Sequence, residues 1–358
     1  MSKIRLGVIG IGFGQHVHVP AFRTDPRCEV AALGASDLKR AAAVADRLGI
    51  PRAFGDWRQL LADPDLDAVS LAVPPAIQSE IAVAALEAGK AVFAEKPLAA
   101  SVTAASRMAA AARTSRQANL VNYEFMDIGL WQQAKAILDQ GGLGELRQVA
   151  VAWNVEIYAI RHGLTSWKTA RRAGGGALYG FASHALYYLE QFLGPIGSLT
   201  ARLFNPLGDV ELGDTAACLC LETAAGVPVS LTVSSHAFLG SGHRLEFYGS
   251  QGTMVLNNPT SDYVTGFQLF HGTRESGRLI AVPDEPGKSE THVDGRIDVV
   301  AKMAHKFLTW METGVPCHPS FQDGLRVQKL LHAAETSHRS RTWVEVGPGA
   351  TDNNESGI

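Results

Sequence analysis

Cysteine is scarce: the 358 residues contain only Cys28, Cys218, Cys220 and Cys317. So few thiols at such spacings exclude a disulfide scaffold. Cys218 and Cys220 would share one face of a strand, but no second Cys/His pair stands nearby to complete a zinc site. No metal is expected. Reduced thiols fit a cytoplasmic protein. Long apolar runs are also lacking, so no membrane span is expected. No leader pattern precedes the first strand candidate at Ile4, and a soluble protein is expected. Charge of one sign is not in excess: 32 Lys+Arg against 35 Asp+Glu give a net charge of −3. That balance provides no general attraction to nucleic acid or to an anionic membrane. Internal repeats and low-complexity stretches are absent too. What remains is an ordinary globular composition, 46% hydrophobic and 19% charged, in a chain long for one core. Two domains are expected.

The first 122 residues alternate in texture. Short β-rich apolar runs occur at 4–9, 30–33, 68–73, 91–93 and 119–121, and Ala-rich helical stretches lie between them at 17–23, 38–48, 76–88 and 102–114. Strand–helix alternation of this kind predicts an α/β domain with a parallel sheet covered on both faces. After Tyr123 the texture changes. A helix at 130–138 ends at Gly141-Gly142, and alternating runs follow at 148–158, 216–222, 227–234 and 244–248. These predict an α+β domain with a mostly antiparallel sheet, followed by helices at 298–311 and 325–338. The expected division is therefore 1–122 for the first domain and 123–346 for the second. The polar, Gly-rich tail 347–358 is expected to be disordered.

The strongest local motif is Gly10-Ile11-Gly12-Phe13-Gly14-Gln15, between the first strand and the first helix. Gly10 permits a tight turn, Gly12 lets backbone approach a pyrophosphate, and the helix start offers unpaired N–H groups. The bland alternative is a plain tight turn. The third glycine of a dinucleotide fingerprint would fall at Gln15, whereas the chain has Gly14, which predicts looser helix–strand packing. The second strand ends at Ala35, without the acid that would read an NAD ribose. Three readings stay open there. Asp37 reads the ribose of NAD; Ser36 and Arg40, with Lys39 nearby, hold the 2′-phosphate of NADP, which is slightly favoured; or Ser36 or Asp37 only caps the next helix.

At the end of the fifth strand stands Glu95-Lys96-Pro97. A charged pair there lies where open α/β sheets bind ligands, although a plain surface pair is the commoner case. Here the chain resembles the Gfo/Idh/MocA family of oxidoreductases, named in part for glucose–fructose oxidoreductase and inositol dehydrogenase. The resemblance rests on Gly10–Gln15, Val73-Pro74-Pro75, Ala88-Gly89-Lys90-Ala91-Val92 leading into Glu95-Lys96-Pro97, and Gly141-Gly142-Leu143-Gly144-Glu145. It continues through Gly174-Gly175-Gly176-Ala177-Leu178 with His184, Gly249-Ser250-Gln251-Gly252-Thr253, and Pro319 to Gly324. It implies a Rossmann domain, a C-terminal domain with an open sheet that often forms dimers or tetramers, an NAD(P) cofactor, and a sugar, inositol or polyol substrate. It also implies that Lys96 contacts the reacting oxygen and the nicotinamide ribose, and that His184 acts as general base or acid. Gly10, Gly12, Phe13, Gly14, Pro74, Gln78, Glu95 and Lys96 are the expected cofactor contacts.

The chain departs from the family at two carboxylates. The position four before His184 is Gly180, and the position three after it is Tyr187. On a helix over 177–192, Gly180 and His184 would share a face. Glycine there leaves room for a bulkier substrate, or another residue fills the role. Tyr179, Tyr187 and Tyr188 are local candidates, and Tyr123, Glu124 and Tyr158 further ones. Gln78 stands where the family often has histidine. Trp167-Lys168 and Arg171-Arg172 either wall the substrate pocket or form a solvated basic loop. His18 reads as structural. Three functions fit: a dehydrogenase or reductase acting on a secondary alcohol or carbonyl; a non-catalytic cofactor-binding regulator; or an enzyme that uses its bound cofactor for elimination or glycoside cleavage.

Overall fold

The computed structural model describes residues 3–164, 166–206, 208, 211–260, 262–284, 292 and 294–347. The expectation of a disordered tail falls, from 348 onward, outside them. The chain divides into two compact units: the described residues of Met1–Asp127 and Ser289–Gln328 form one, those of Ile128–Lys288 and Lys329–Ile358 the other.

The first unit is built on a six-stranded sheet of β1 (Ile4–Ile9), β2 (Cys28–Gly34), β3 (Arg52–Phe54), β4 (Ala68–Leu71), β5 (Ala91–Ala94) and β6 (Asn119–Val121), in the order 3-2-1-4-5-6. Every pairing is parallel. β4, β5 and β6 are buried along their whole length, as a sheet covered on both faces requires. Helices Leu38–Leu48, Pro75–Glu87 and Val102–Ser115 lie between strands, the first capped by Asp37 and the last by Ser101. The strand order reverses between β1 and β4, the place where doubly wound sheets hold ligands.

The second domain boundary differs from the expected one. Helix Gly295–Thr313 packs with the N-terminal unit: Phe307 meets Phe93 edge-on at 5.8 Å and Phe22 at 6.3 Å. Val300, Met303, Ala304 and Leu308 join the same cluster as Leu6, Val8, Leu33 and Leu120. The segment after this helix docks there as well. The Val121 amide donates to the Pro319 carbonyl at 2.9 Å, and the Phe321 amide to Asn119 Oδ1 at 2.9 Å. The physical reason is coverage: a parallel sheet needs apolar cover on both faces, and this helix supplies part of it. Residues 123–127 also remain with the first unit.

The second unit carries a nine-stranded sheet of β7 (Leu146–Asn154), β8 (Ile196–Phe204), β9 (Ala216–Thr223), β10 (Pro228–Ser234), β11 (Gly242–Gly249), β12 (Gly252–Asn258), β13 (Gln268–Thr273), β14 (Ile280–Val282) and β15 (Val344–Glu345), in the order 14-13-12-11-7-10-9-8-15. Only the β7–β10 pairing is parallel. β9 and β10 alternate over most of their length: Leu219, Leu221, Val229 and Leu231 point into the core, while Cys218, Cys220, Ser230 and Thr232 are exposed on the other face. Helix Gly129–Asp139 and the helical segment 178–193 belong to this unit.

Candidate active site

β1 delivers the chain into Gly10, whose φ of +113° favours glycine. A Cβ there would stand 2.2 Å from the Ala72 carbonyl oxygen at the end of β4. Gly12, by contrast, is exposed, and a Cβ on it would meet nothing within 4 Å. Bare backbone thus faces open space beyond the central strand, the cradle a dinucleotide pyrophosphate needs. Gly14 is packed tightly, its notional Cβ 3.0 Å from Val8 Cγ1 and 3.4 Å from Ala72 Cβ. The looser packing expected from Gln15 is therefore absent. The helical segment opens with a π turn, Gly14–His18, before α-helix Val19–Arg23, and this wider turn accommodates the one-residue offset of the glycine. Gln15 accepts from Arg47 and donates to the Ile11 carbonyl. The Phe13 ring lies under the Arg296 guanidinium at 5.5 Å.

Beyond β2, Ser36, Asp37, Lys39 and Arg40 are all exposed. The Asp37 carboxylate accepts from the Arg40 amide at 3.2 Å, so it does cap the helix. Pro74 begins helix Pro75–Glu87. Gln78, one turn in, is fully buried, and its amide nitrogen donates to three carbonyls: Glu95 at 2.6 Å, Leu98 at 3.0 Å and Pro97 at 3.3 Å. That side chain is committed to holding the Glu95–Leu98 turn, in which the Lys96–Pro97 peptide is cis.

Glu95 anchors this turn from within. Its Oε1 receives His18 Nε2 at 3.0 Å and Asn122 Nδ2 at 2.8 Å, and its Oε2 the Lys96 amide at 3.3 Å. Burial alone would push the Glu95 carboxyl up, but His18, Lys96 and Asn122 together hold it below the usual carboxylate range. The other ring nitrogen of His18 meets Ser70 Oγ on β4 at 2.7 Å. Lys96 is half-buried beside these groups. Gly324, near the start of helix Phe321–Ser340, closes the floor: a Cβ there would be 2.7 Å from Leu98 Cδ2.

Past Asn122, Tyr123 and Glu124 are buried. Burial pushes the Tyr123 phenol up. Burial first, and then the charge of Glu95, raise the Glu124 carboxyl to about 8. Its Oε2 has no hydrogen-bond partner among the described residues. Asp127 takes an ion pair from Lys306 at 2.7 Å, and Lys302 bonds the Asp127 carbonyl at 2.8 Å.

In the second unit the helix expected over 177–192 begins as a π turn, Leu178–Ala182, and continues as α-helix Ser183–Leu193. A Cβ on Gly180 would meet nothing within 4 Å, so the space left by the missing carboxylate is open within this unit. His184 is buried, its ring 5.9 Å from Trp153. Trp153 stacks on His243 at 4.2 Å, and His243 Nε2 meets the Tyr188 hydroxyl at 2.9 Å. Burial pushes His243 down to about 3, so it is a neutral ring. Asp214 accepts the Leu178 amide at 2.7 Å, and burial raises its carboxyl to about 6. Trp153, His243 and Asp214 were not singled out from sequence. Tyr179 and Tyr187 are buried, whereas Tyr158 is exposed and lies 4.2 Å from the His162 ring. Trp167 is half-exposed, with Lys168 Nζ 5.9 Å from its ring. Arg172 falls in the turn Arg171–Ala173; its side chain lies outside what the structure describes. No group of three or more metal-ligating side chains occurs among the described residues, and no described helix is long and apolar enough to cross a membrane.

Comparison with known proteins agrees with this geometry. Residues 4–123 match the family described as oxidoreductase, NAD-binding Rossmann fold, and residues 131–255 match its GFO/IDH/MocA C-terminal domain. An uncharacterized oxidoreductase of Synechocystis sp. is 32% identical, over 96% of each chain. A dTDP-3,4-didehydro-2,6-dideoxy-alpha-D-glucose 3-reductase of Actinomadura kijaniata is 28% identical, over 94% of this chain and 96% of that protein. Among solved structures, levoglucosan dehydrogenase in complex with NADH superposes with a TM-score of 0.86 over 97% of this chain and 100% of its own, at 24% identity, a likeness of fold. The chain belongs to the Gfo/Idh/MocA oxidoreductases, with an NAD-binding Rossmann domain and a mostly antiparallel C-terminal sheet.

Proposed function

We propose that this oxidoreductase interconverts a secondary alcohol and a carbonyl on a sugar, polyol or related small molecule. One observation carries the reading. The glycine loop beyond β1 and the Lys96 turn beyond β5 are joined by a buried side chain, His18, which leaves the loop's own helix and bonds Glu95. A dinucleotide site and a half-buried lysine are thereby built as one constellation. Relatives support the substrate class: they include a levoglucosan dehydrogenase, a dTDP-3,4-didehydro-2,6-dideoxy-alpha-D-glucose 3-reductase and a trans-1,2-dihydrobenzene-1,2-diol dehydrogenase.

The backbone of Gly10, Gly12, Phe13 and Gly14 would hold the pyrophosphate, and Pro74, Glu95 and Lys96 would border the nicotinamide end. When bound, the nicotinamide supplies the acceptor or donor for the substrate's hydride. Lys96 places its ammonium or amine at the reacting oxygen, stabilising negative charge there or taking its proton. The family resemblance implies His184 as a second proton carrier, and the open space at Gly180 would leave room for substrate bulk. Gln78 serves this site as the brace of the Lys96 turn. A modest preference for NADP follows from the second-strand end. Asp37 is occupied as a helix cap, while Ser36, Lys39 and Arg40 remain exposed for a 2′-phosphate. Four free cysteines suit a reducing cytoplasm, and the exposed face of β9 and β10 suits assembly as a homodimer or homotetramer.

The test is cofactor reduction across a panel of sugars and polyols, with NAD and NADP in parallel. Lys96→Ala should lower kcat/KM by about 10²–10⁴-fold, the contribution of a positioned acid–base group. Arg40→Ala should erase the preference for NADP. Undiminished turnover by Lys96→Ala would refute the assignment.

A further inference from the structure

The structure assigns a second role at this site: His18 is a positioning residue that fixes the Glu95 carboxylate, and through it Lys96, to the dinucleotide loop. The ring is fully buried and both of its nitrogens are engaged, with Ser70 Oγ at 2.7 Å and Glu95 Oε1 at 3.0 Å. An ionised carboxylate only accepts, so Nε2 carries a proton toward Glu95. Ser70 Oγ, on fully buried β4, sets the orientation of the ring from behind. Phe13 and Phe93 meet it edge-on at 5.3 and 5.4 Å and bar other rotamers. Phe13 is part of the glycine loop, and His18 closes the π turn that begins at Gly14. Movement of the loop therefore reaches Glu95 through one rigid ring.

Glu95 needs this partner. It is a carboxylate in a largely desolvated place, kept ionised by His18, Lys96 and Asn122 against burial. Asp127 is a further carboxylate on the Glu124 turn, and Lys306 of the helix Gly295–Thr313 pairs with it while Lys302 of the same helix bonds its backbone carbonyl. If the His18 donor is removed, burial gains the upper hand and Glu95 takes up a proton more readily. Lys96 then loses its adjoining negative charge and its fixed neighbour together. Side chains that hold a reactive group in this way typically account for about 10–100-fold in activity, as the hydrogen-bonded partners of metal ligands do.

This inference rests on Lys96 being the reactive group, so its test includes a measurement that needs no turnover. His18→Phe keeps the ring packing between Phe13 and Phe93 and removes both hydrogen bonds. His18→Gln restores a donor near the Nε2 position. Each is compared with wild type in three ways: cofactor affinity by calorimetry, kcat and KM on a turned-over sugar, and the rate at which acetic anhydride labels Lys96 in the cofactor-free protein, read by mass spectrometry. His18→Phe should lower kcat by about 10–100-fold and leave the cofactor Kd within about threefold. Its Lys96 should label at least about threefold faster, as an amine that has lost a neighbouring carboxylate does. His18→Gln should return both values most of the way. Equal losses in the Phe and Gln variants would overturn the inference, as would unchanged labelling in His18→Phe. Full turnover by Lys96→Ala would remove the catalytic reading of Lys96, and the labelling arm would still decide whether His18 governs that amine.

Discussion

Glu124 offers a measurable consequence of how this site is built. Its carboxyl ordinarily titrates near 4.5 and is raised to about 8 in the folded chain by burial and by Glu95. The folded state therefore binds a proton that the unfolded state releases between those pH values. Stability falls wherever the native state binds more protons, so it must decline as pH rises from about 4.5 to about 8 on account of this group. Each pH unit of that interval is worth about 1.4 kcal/mol, which makes the full penalty on the order of 3–5 kcal/mol above pH 8. Glu124→Gln removes the titration while keeping the shape and leaves an amide that never ionises. The variant should match wild type at about pH 3.5, where the carboxyl is protonated in both the folded and the unfolded chain, and exceed it by several kcal/mol at about pH 9. Urea unfolding followed by tryptophan fluorescence measures this, and taking the difference between variants at each pH cancels the titrating groups that do not interact with Glu124. A gain of the same size at both pH values would refute the reasoning, since it would mean that the carboxyl is not charged differently in the two states.

Gly12→Asp should abolish dinucleotide binding in a calorimetric titration, because it fills the one open position of the cradle with a side chain and a negative charge; retained affinity would remove the loop assignment. Phe307→Ala should lower stability by about 3–5 kcal/mol, the cost of emptying an aromatic site in a closed core, and should weaken cofactor binding along with it. An unchanged thermal transition would show that helix Gly295–Thr313 does not complete the first unit. Cys220→Arg, on the exposed face of β9 between Thr200 and Ser230, should convert an oligomer into a 38.2 kDa monomer in sedimentation. A wild-type monomer at micromolar concentration would dispose of that interface.

Much of the first unit was legible because its signals are local. β1 and β6 begin and end where the apolar runs do, and helix Leu38–Leu48 starts after Asp37 and stops before Gly49, a left-handed C-cap. β3 escaped because three half-buried residues at the edge of a sheet carry no periodicity. β8 and β12 escaped for a different reason. Thr200 and Arg202 interrupt the apolar run of one, and Gly252 and Asn257 that of the other, and both become strands only through long antiparallel partners. Helix Gly295–Thr313 was found as a helix yet given to the wrong unit. An amphipathic stripe declares that a face will be buried and does not say against what.

The site divides along the same line. Gly10, Gly12 and Lys96 could be placed beside strand ends from sequence, because chain direction there fixes which end of the sheet a residue lies at. His18 and Gln78 could not be assigned, since their partners lie far along the chain: Ser70 is 52 residues from His18 and Glu95 is 77, while Gln78 reaches carbonyls up to 20 residues away. A weaker signal was nevertheless present. His18 lies between Val17 and Val19 in an apolar helical turn that had to face the sheet, and a polar group buried there must find hydrogen-bond partners. The polar atoms within reach are those at the ends of β4 and β5, which is where Ser70 and the Glu-Lys-Pro turn stand. A buried ring there needs partners for both nitrogens, which points to Ser70 and Glu95, and from Glu95 to the lysine beside it.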